Sequence, residues 1–134
     1  MNPITLNYLA ILVAFLALFI GGALWYSPLL FGKRWVAITN TEMTAGNSAM
    51  VGQAVLTLIS ATSLAVVVSW AQPTTIIQGG CVGFLIAAGF LATNAGGAVL
   101  FERRPMGLFW INQGFNVIGL TIAGMILAAM PPPM

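Results

Sequence analysis

Gln53, Asn94, Asn112, Gln113 and Asn116 are the residues through which this chain is best equipped to recognise another molecule. Each sits in an otherwise apolar stretch, and an unpaired amide in hydrocarbon is costly, so each must face another helix, water or a ligand rather than lipid. Asn112 and Asn116 stand one helical turn apart with Gln113 beside them, and Gln53, Thr57 and Ser60 share a helix face. Such a set can form a polar pocket or fasten helices to one another, and both readings stay open. Covalent chemistry has less to work with. There is no His, which removes Ser/His/Asp and Cys/His catalysis, and the single cysteine, Cys81, has no partner for an internal disulfide or for a zinc site of the usual spacing. The two carboxylates, Glu42 and Glu102, lie outside the apolar stretches, so a proton relay across a membrane lacks its usual acid. No enzymatic activity, metal or cofactor is expected, and Cys81 reads as an inert small hydrophobe.

The elements that must position these amides are membrane spans. Hydrophobic residues make up 60% of the 134 and charged residues 4%, against about 25% charged in soluble domains. Disorder is excluded by the same inversion. A bilayer core takes about 20 apolar residues of helix, and four such stretches are present, at about 4–26, 48–71, 76–100 and 106–130. The whole chain, 1–134, is therefore expected to be one all-α domain, a four-transmembrane-helix bundle. Ser27-Pro28 stops the first span, Asn47 or Ser48 caps the second, Gln72-Pro73-Thr74-Thr75 turns into the third, and Pro105 suits the first turn of the fourth. The first stretch has no basic residue before it and is too long for a cleaved signal core, so it reads as a retained helix.

Lys33 and Arg34 fall in the first loop and Arg103 and Arg104 in the third, while the second loop and both termini have no basic residue. Basic residues stay on the cytoplasmic side, which places both termini on the outer, periplasmic side. Trp25, Tyr26, Phe31, Trp35, Phe101, Phe109 and Trp110 would then form an aromatic belt at the inner interface. On that placement Gln53, Asn94, Asn112 and Asn116 lie in the inner half of the membrane, ringed by Lys33, Arg34, Glu102, Arg103 and Arg104. Glu102 reads as one side of an exposed ion pair with the neighbouring arginines. Residues 29–38 suit a short helix in the interface plane, whose basic pair holds orientation and can attract anionic headgroups. A net charge of +2 in two short clusters gives nucleic-acid binding no support.

Gly79 and Gly83 form a small-xxx-small pair, and Gly96 and Gly97, with Gly89, Gly21 and Gly22, supply further thin places for close helix approach. Leu30-Phe31-Gly32-Lys33-Arg34 and Leu100-Phe101-Glu102-Arg103-Arg104 share a pattern, readable as parallel two-helix repeats or as convergence of two interface loops.

The run Gly22-Ala23-Leu24-Trp25-Tyr26-Ser27-Pro28-Leu29-Leu30-Phe31-Gly32-Lys33, preceded by Asn7-Tyr8-Leu9-Ala10, resembles the opening signature of a bacterial family of small four-helix membrane proteins catalogued as domain of unknown function seventeen-sixty-one. Phe101-Glu102-Arg103-Arg104-Pro105 and Leu108-Phe109-Trp110-Ile111-Asn112 are similar to its second signature. The resemblance implies an integral membrane fold in a bacterial inner membrane and carries no activity, substrate or catalytic residue.

Two functions follow as expectations. The first is a non-catalytic accessory or assembly subunit of a membrane complex, packed by its glycine-rich faces. The second is a homo-oligomeric channel or transporter for a small solute, using the amide cluster. The expected partners are the lipid bilayer and either further copies of the chain or other membrane subunits. Four helices enclose little space, so a pore is expected between protomers rather than within one.

Overall fold

The computed structural model describes residues 6–40 and 46–131. Ile4, Glu42, Pro132 and Pro133, which enter the expectations above, lie outside the described residues. The elements are α1 (Tyr8–Trp25), α2 (Gly32–Thr39), α3 (Asn47–Ala71), α4 (Ile76–Glu102) and α5 (Met106–Ala129). All but α2 are long and apolar enough to cross a membrane, and these four match the expected spans closely. In lipid the backbone must satisfy its own polar groups, which is why apolar stretches of this length resolve as helices.

The ends show which local signals acted. The Asn7 side chain accepts from the backbone N–H groups of Leu9 and Ala10 and so caps α1. Its amide nitrogen donates to the carbonyls of Met130 and Pro131, each at 3.2 Å, tying the start of α1 to the end of α5. The second span has no side-chain cap: Gly46 is the N-cap, and Asn47 and Ser48 are already helical. Pro105 likewise sits at the N-cap of α5, one position before its first turn. Thr75 caps α4 by accepting from the Gln78 N–H, while Gln78 Oε1 accepts from the N–H and hydroxyl of Thr74, a variant of the capping box. Asn40, Gln72 and Arg103 end α2, α3 and α4 in left-handed conformation, with φ of 58°, 47° and 56°. Glycine is the usual residue there, and none of the three is glycine.

Ser27 and Pro28 do end α1, and the chain reverses through a compact turn. Phe31 N–H donates to the Trp25 carbonyl at 3.0 Å and Gly32 N–H to that of Ser27 at 2.9 Å. The interface helix therefore starts at Gly32, three residues later than expected, because 29–31 belong to this turn. The echo between 30–34 and 100–104 does not extend to structure: the first run is a turn entering a helix, the second a helix end with its cap.

The core is built from small residues. Ala10, Ala14, Ala61, Ala65, Ala87 and Ala123 are buried with Leu18, Leu64, Leu120 and Leu127 between them. The closest pair is α4 with α5, where Gly79 and Gly83 interlock with Gly124. A Cβ on Gly79 or Gly124 would meet the other's carbonyl oxygen, and one on Gly83 would meet that of Leu120. Without lipid-excluding hydrophobicity to drive association, such backbone contact is how membrane helices gain dispersion energy. Gly96 and Gly97 take no such part: a Cβ at Gly96 would have only Phe109 nearby, at 3.9 Å, and Gly97 faces open space. Between these glycine pairs, Ala87–Ala92 forms a π-helical segment inside α4. The Thr93 hydroxyl donates to the carbonyls of Gly89 and Phe90 at 2.8 and 3.1 Å, satisfying groups that the wider turn frees. Beyond this segment α4 turns its glycines away from α5.

Candidate polar crevice

The first half of α3 leans away from its neighbours. Residues 46–53 are exposed, and close packing starts at Thr57 and Ala61. The space left against α1 and α5 is an open cavity of about 960 Å³ at the end of the bundle that carries Lys33, Arg34, Arg103 and Arg104. Four of the five amides singled out in the sequence, Gln53, Asn112, Gln113 and Asn116, line it, together with Thr57 and Ser60. Asn94 does not: it is exposed on α4 beyond the π segment, which rotates it off this face.

The amides do little to bind helix to helix. Gln53 Nε2 donates to the Thr57 hydroxyl at 3.1 Å, and that hydroxyl donates to the Gln53 carbonyl at 2.8 Å, all within α3. Asn116 Nδ2 donates to Gln113 Oε1 at 3.2 Å within α5. Among the described residues only Asn112 bonds to another element, its Oδ1 accepting from the Tyr26 hydroxyl at 2.7 Å. The walls facing the cavity thus carry polar groups whose hydrogen-bonding capacity is only partly used.

Tyr26, Trp35 and Phe115 complete the walls and were not picked out as site residues from sequence. Tyr26 packs edge-on against Trp35, with ring centroids at 6.4 Å, and against Phe115 at 6.1 Å. Trp25 turns inward as well: its indole N–H donates to the Ile111 carbonyl at 2.9 Å and its ring stacks by Phe31 and Gly114. Trp25 and Tyr26 therefore belong to the bundle interior, and the expected aromatic belt is left to residues such as Phe101 and Trp110, 88% and 65% exposed. The usable signal was their position: both directly precede the Ser27-Pro28 stop, where a helix end folds back on its neighbours.

The charges form a rim and do not enter. Lys33, Arg34, Glu102, Arg103 and Arg104 are all exposed. Arg104 Nε donates to Glu102 Oε2 at 2.8 Å in an ion pair whose side chains are 61% and 58% exposed, as the sequence pairing anticipated. Cys81 is exposed on the outer face of α4, not embedded in packing as its apolar surroundings suggested. Among the described residues no three His, Cys, Asp or Glu side chains come together to hold a metal.

Four apolar spans around a core of small residues, with charges confined to one end, define a multi-pass helical membrane protein. Its family is a particular one: residues 9–128 match the model of the family described as protein of unknown function, DUF1761, and the chain belongs to that family. No curated protein and no solved structure matches the chain significantly.

Proposed function

We propose that this protein takes up a small, uncharged, hydrogen-bonding solute in the crevice between α1, α3 and α5 and passes it across the membrane. One observation carries the reading: Gln53, Gln113 and Asn116 line a cavity of about 960 Å³ while making hydrogen bonds only within their own helices. Amides kept for packing would bond across the bundle. The solute class follows from the lining. Donors and acceptors are present together with aromatic faces, and no charged side chain is among the residues that line the cavity, so an ion would lose hydration without compensation. The basic residues at the crevice mouth support a cytoplasmic opening with both termini outside, and with the family resemblance they support a bacterial inner membrane.

The accessory-subunit reading draws on a different observation, the unpartnered apolar surface of α3 around Met50, Val51 and Val55, which suits lipid equally well. The experiment that separates the two is solute-driven volume recovery of proteoliposomes, followed by light scattering, with urea, glycerol and small neutral amides as probes. Recovery faster than in protein-free vesicles, and lost in Asn112→Leu and Asn116→Leu proteins that remain monodisperse, supports solute passage. Recovery at the protein-free rate for every probe refutes it. Gentle extraction with native lipids and an intact-complex mass then reads any partner subunit directly.

A further inference from the structure

The crevice has a counterpart at the other end of the bundle. A second cavity, of about 330 Å³, lies between the same three helices, α1, α3 and α5, and its polar lining comes from Asn7, Ser69 and Gln72. Both cavities are strung along one face of each helix. On α1 that face runs Asn7, Ala10, Ala14, Leu18, Gly22, Tyr26, and on α3 it runs Gln53, Thr57, Ala61, Leu64, Val68, Gln72, each at three- or four-residue spacing. The pattern is the same on both: polar at the two ends, small or apolar in the middle. Between the cavities the seam is closed by Ala14, Ala61 and Ala123, each 0% exposed, with Leu64 at 3%. On α5 the closed stretch runs from Leu120 to Leu127, which at 1.5 Å per residue is roughly 10 Å of packing.

We infer that the α1/α3/α5 seam of a single protomer is the solute path, with a vestibule at each end and an alanine-lined gate between them, seen here open toward the basic end. The inference rests on the reading of the larger crevice as a solute site and moves the path from between protomers to within one. A gate of alanines is thin: no side chain beyond Cβ has to leave on those three positions when α3 leans the other way. The lean of the first half of α3 that opens the large vestibule is the motion whose reversal would close it and widen the small one.

The test is site-directed thiol labelling of full-length protein in sealed, oriented vesicles, in a Cys81→Ser background, with a small charged methanethiosulfonate applied from one side at a time. Asn116→Cys should react from the basic-end side only, Ser69→Cys from the opposite side only, and Ala61→Cys from neither side in the resting protein. Gln113→Cys and Gln72→Cys repeat the two vestibule positions should either first variant fail to purify. If Asn116→Cys reacts and both Ser69→Cys and Gln72→Cys are inert, the through-path is overturned while the binding crevice stands. If both vestibules react from the same side, or Ala61→Cys reacts as fast as Asn116→Cys, the gate is overturned. If Asn116→Cys and Gln113→Cys are both inert, the crevice holds no water, and the solute reading fails with the path.

Discussion

Replacing Gly83 by alanine adds one methyl group where there is no room for it. The new Cβ would lie 2.6 Å from the carbonyl carbon of Leu120 and 3.1 Å from the Thr121 nitrogen, besides meeting the Leu120 oxygen. These are backbone atoms of a helix, so no rotamer change relieves the clash. Restoring a carbon–carbon separation of about 3.5 Å requires α4 and α5 to part by roughly 1 Å, and a gap of that size forfeits a quarter to a half of each affected dispersion contact. Overpacking typically costs about 1–3 kcal/mol, and an immovable obstacle places Gly83→Ala near the top, at about 3 kcal/mol. That is roughly a 150-fold change in the folding equilibrium. Gly97→Ala is the internal control: the same chemistry in the same helix, with no atom within 4 Å of the new Cβ. It should be neutral or gain about 0.5–1 kcal/mol from reduced backbone entropy. Unfolding of both variants in mixed micelles, titrated with a denaturing detergent and followed by circular dichroism, measures the difference. Equal midpoints for the two would refute the account of α4–α5 packing.

Tyr26→Phe removes the one bond that links the amide set to α1, and should lower stability by about 0.6 kcal/mol in the same titration while leaving the ring packing on Phe115 in place. Glu102→Gln should shift the unfolding midpoint by less than about 0.5 kcal/mol, since exposed ion pairs contribute little; loss of folded protein on purification would contradict this. Gln72→Gly relieves a left-handed cap and should stabilise by about 1 kcal/mol, and a destabilisation would mean that the Gln72 side chain is needed where it lines the smaller vestibule.

Much of this architecture was legible because membrane spans are written in composition, which survives without knowledge of any neighbour. The four spans, the stop at Ser27-Pro28, the turn before Ile76 and the Glu102 ion pair all follow from residues acting locally. The failures involve relations between helices. Asn94 shares its residue type and expected depth with the other amides, but the π segment rotates it away, and nothing about Ala87–Ala92 announces a wider turn. Gly96 and Gly97 look like Gly79 and Gly83 in sequence and differ only in whether a partner backbone lies opposite. Trp25 and Tyr26 carry the amphipathic rings of an interface belt, and the compact reversal after them turns those rings inward. The vestibule pair was the least visible, because it depends on how far the first half of α3 leans.

The π-helical segment makes α4 a helix specified by residue count as well as by residue type. One inserted residue per wide turn is a register shift, so an in-frame deletion of Phe90 is expected to restore ordinary helical winding and rotate everything after it by about 100°. Leu91 would leave the crevice wall it forms, and the 93–102 stretch, with the Arg103 cap and the Glu102–Arg104 pair behind it, would point toward a different neighbour. Substitutions in this stretch leave that geometry in place, whereas a single change of length does not. Within this helix, tolerance to deletion therefore reports on architecture more directly than tolerance to substitution.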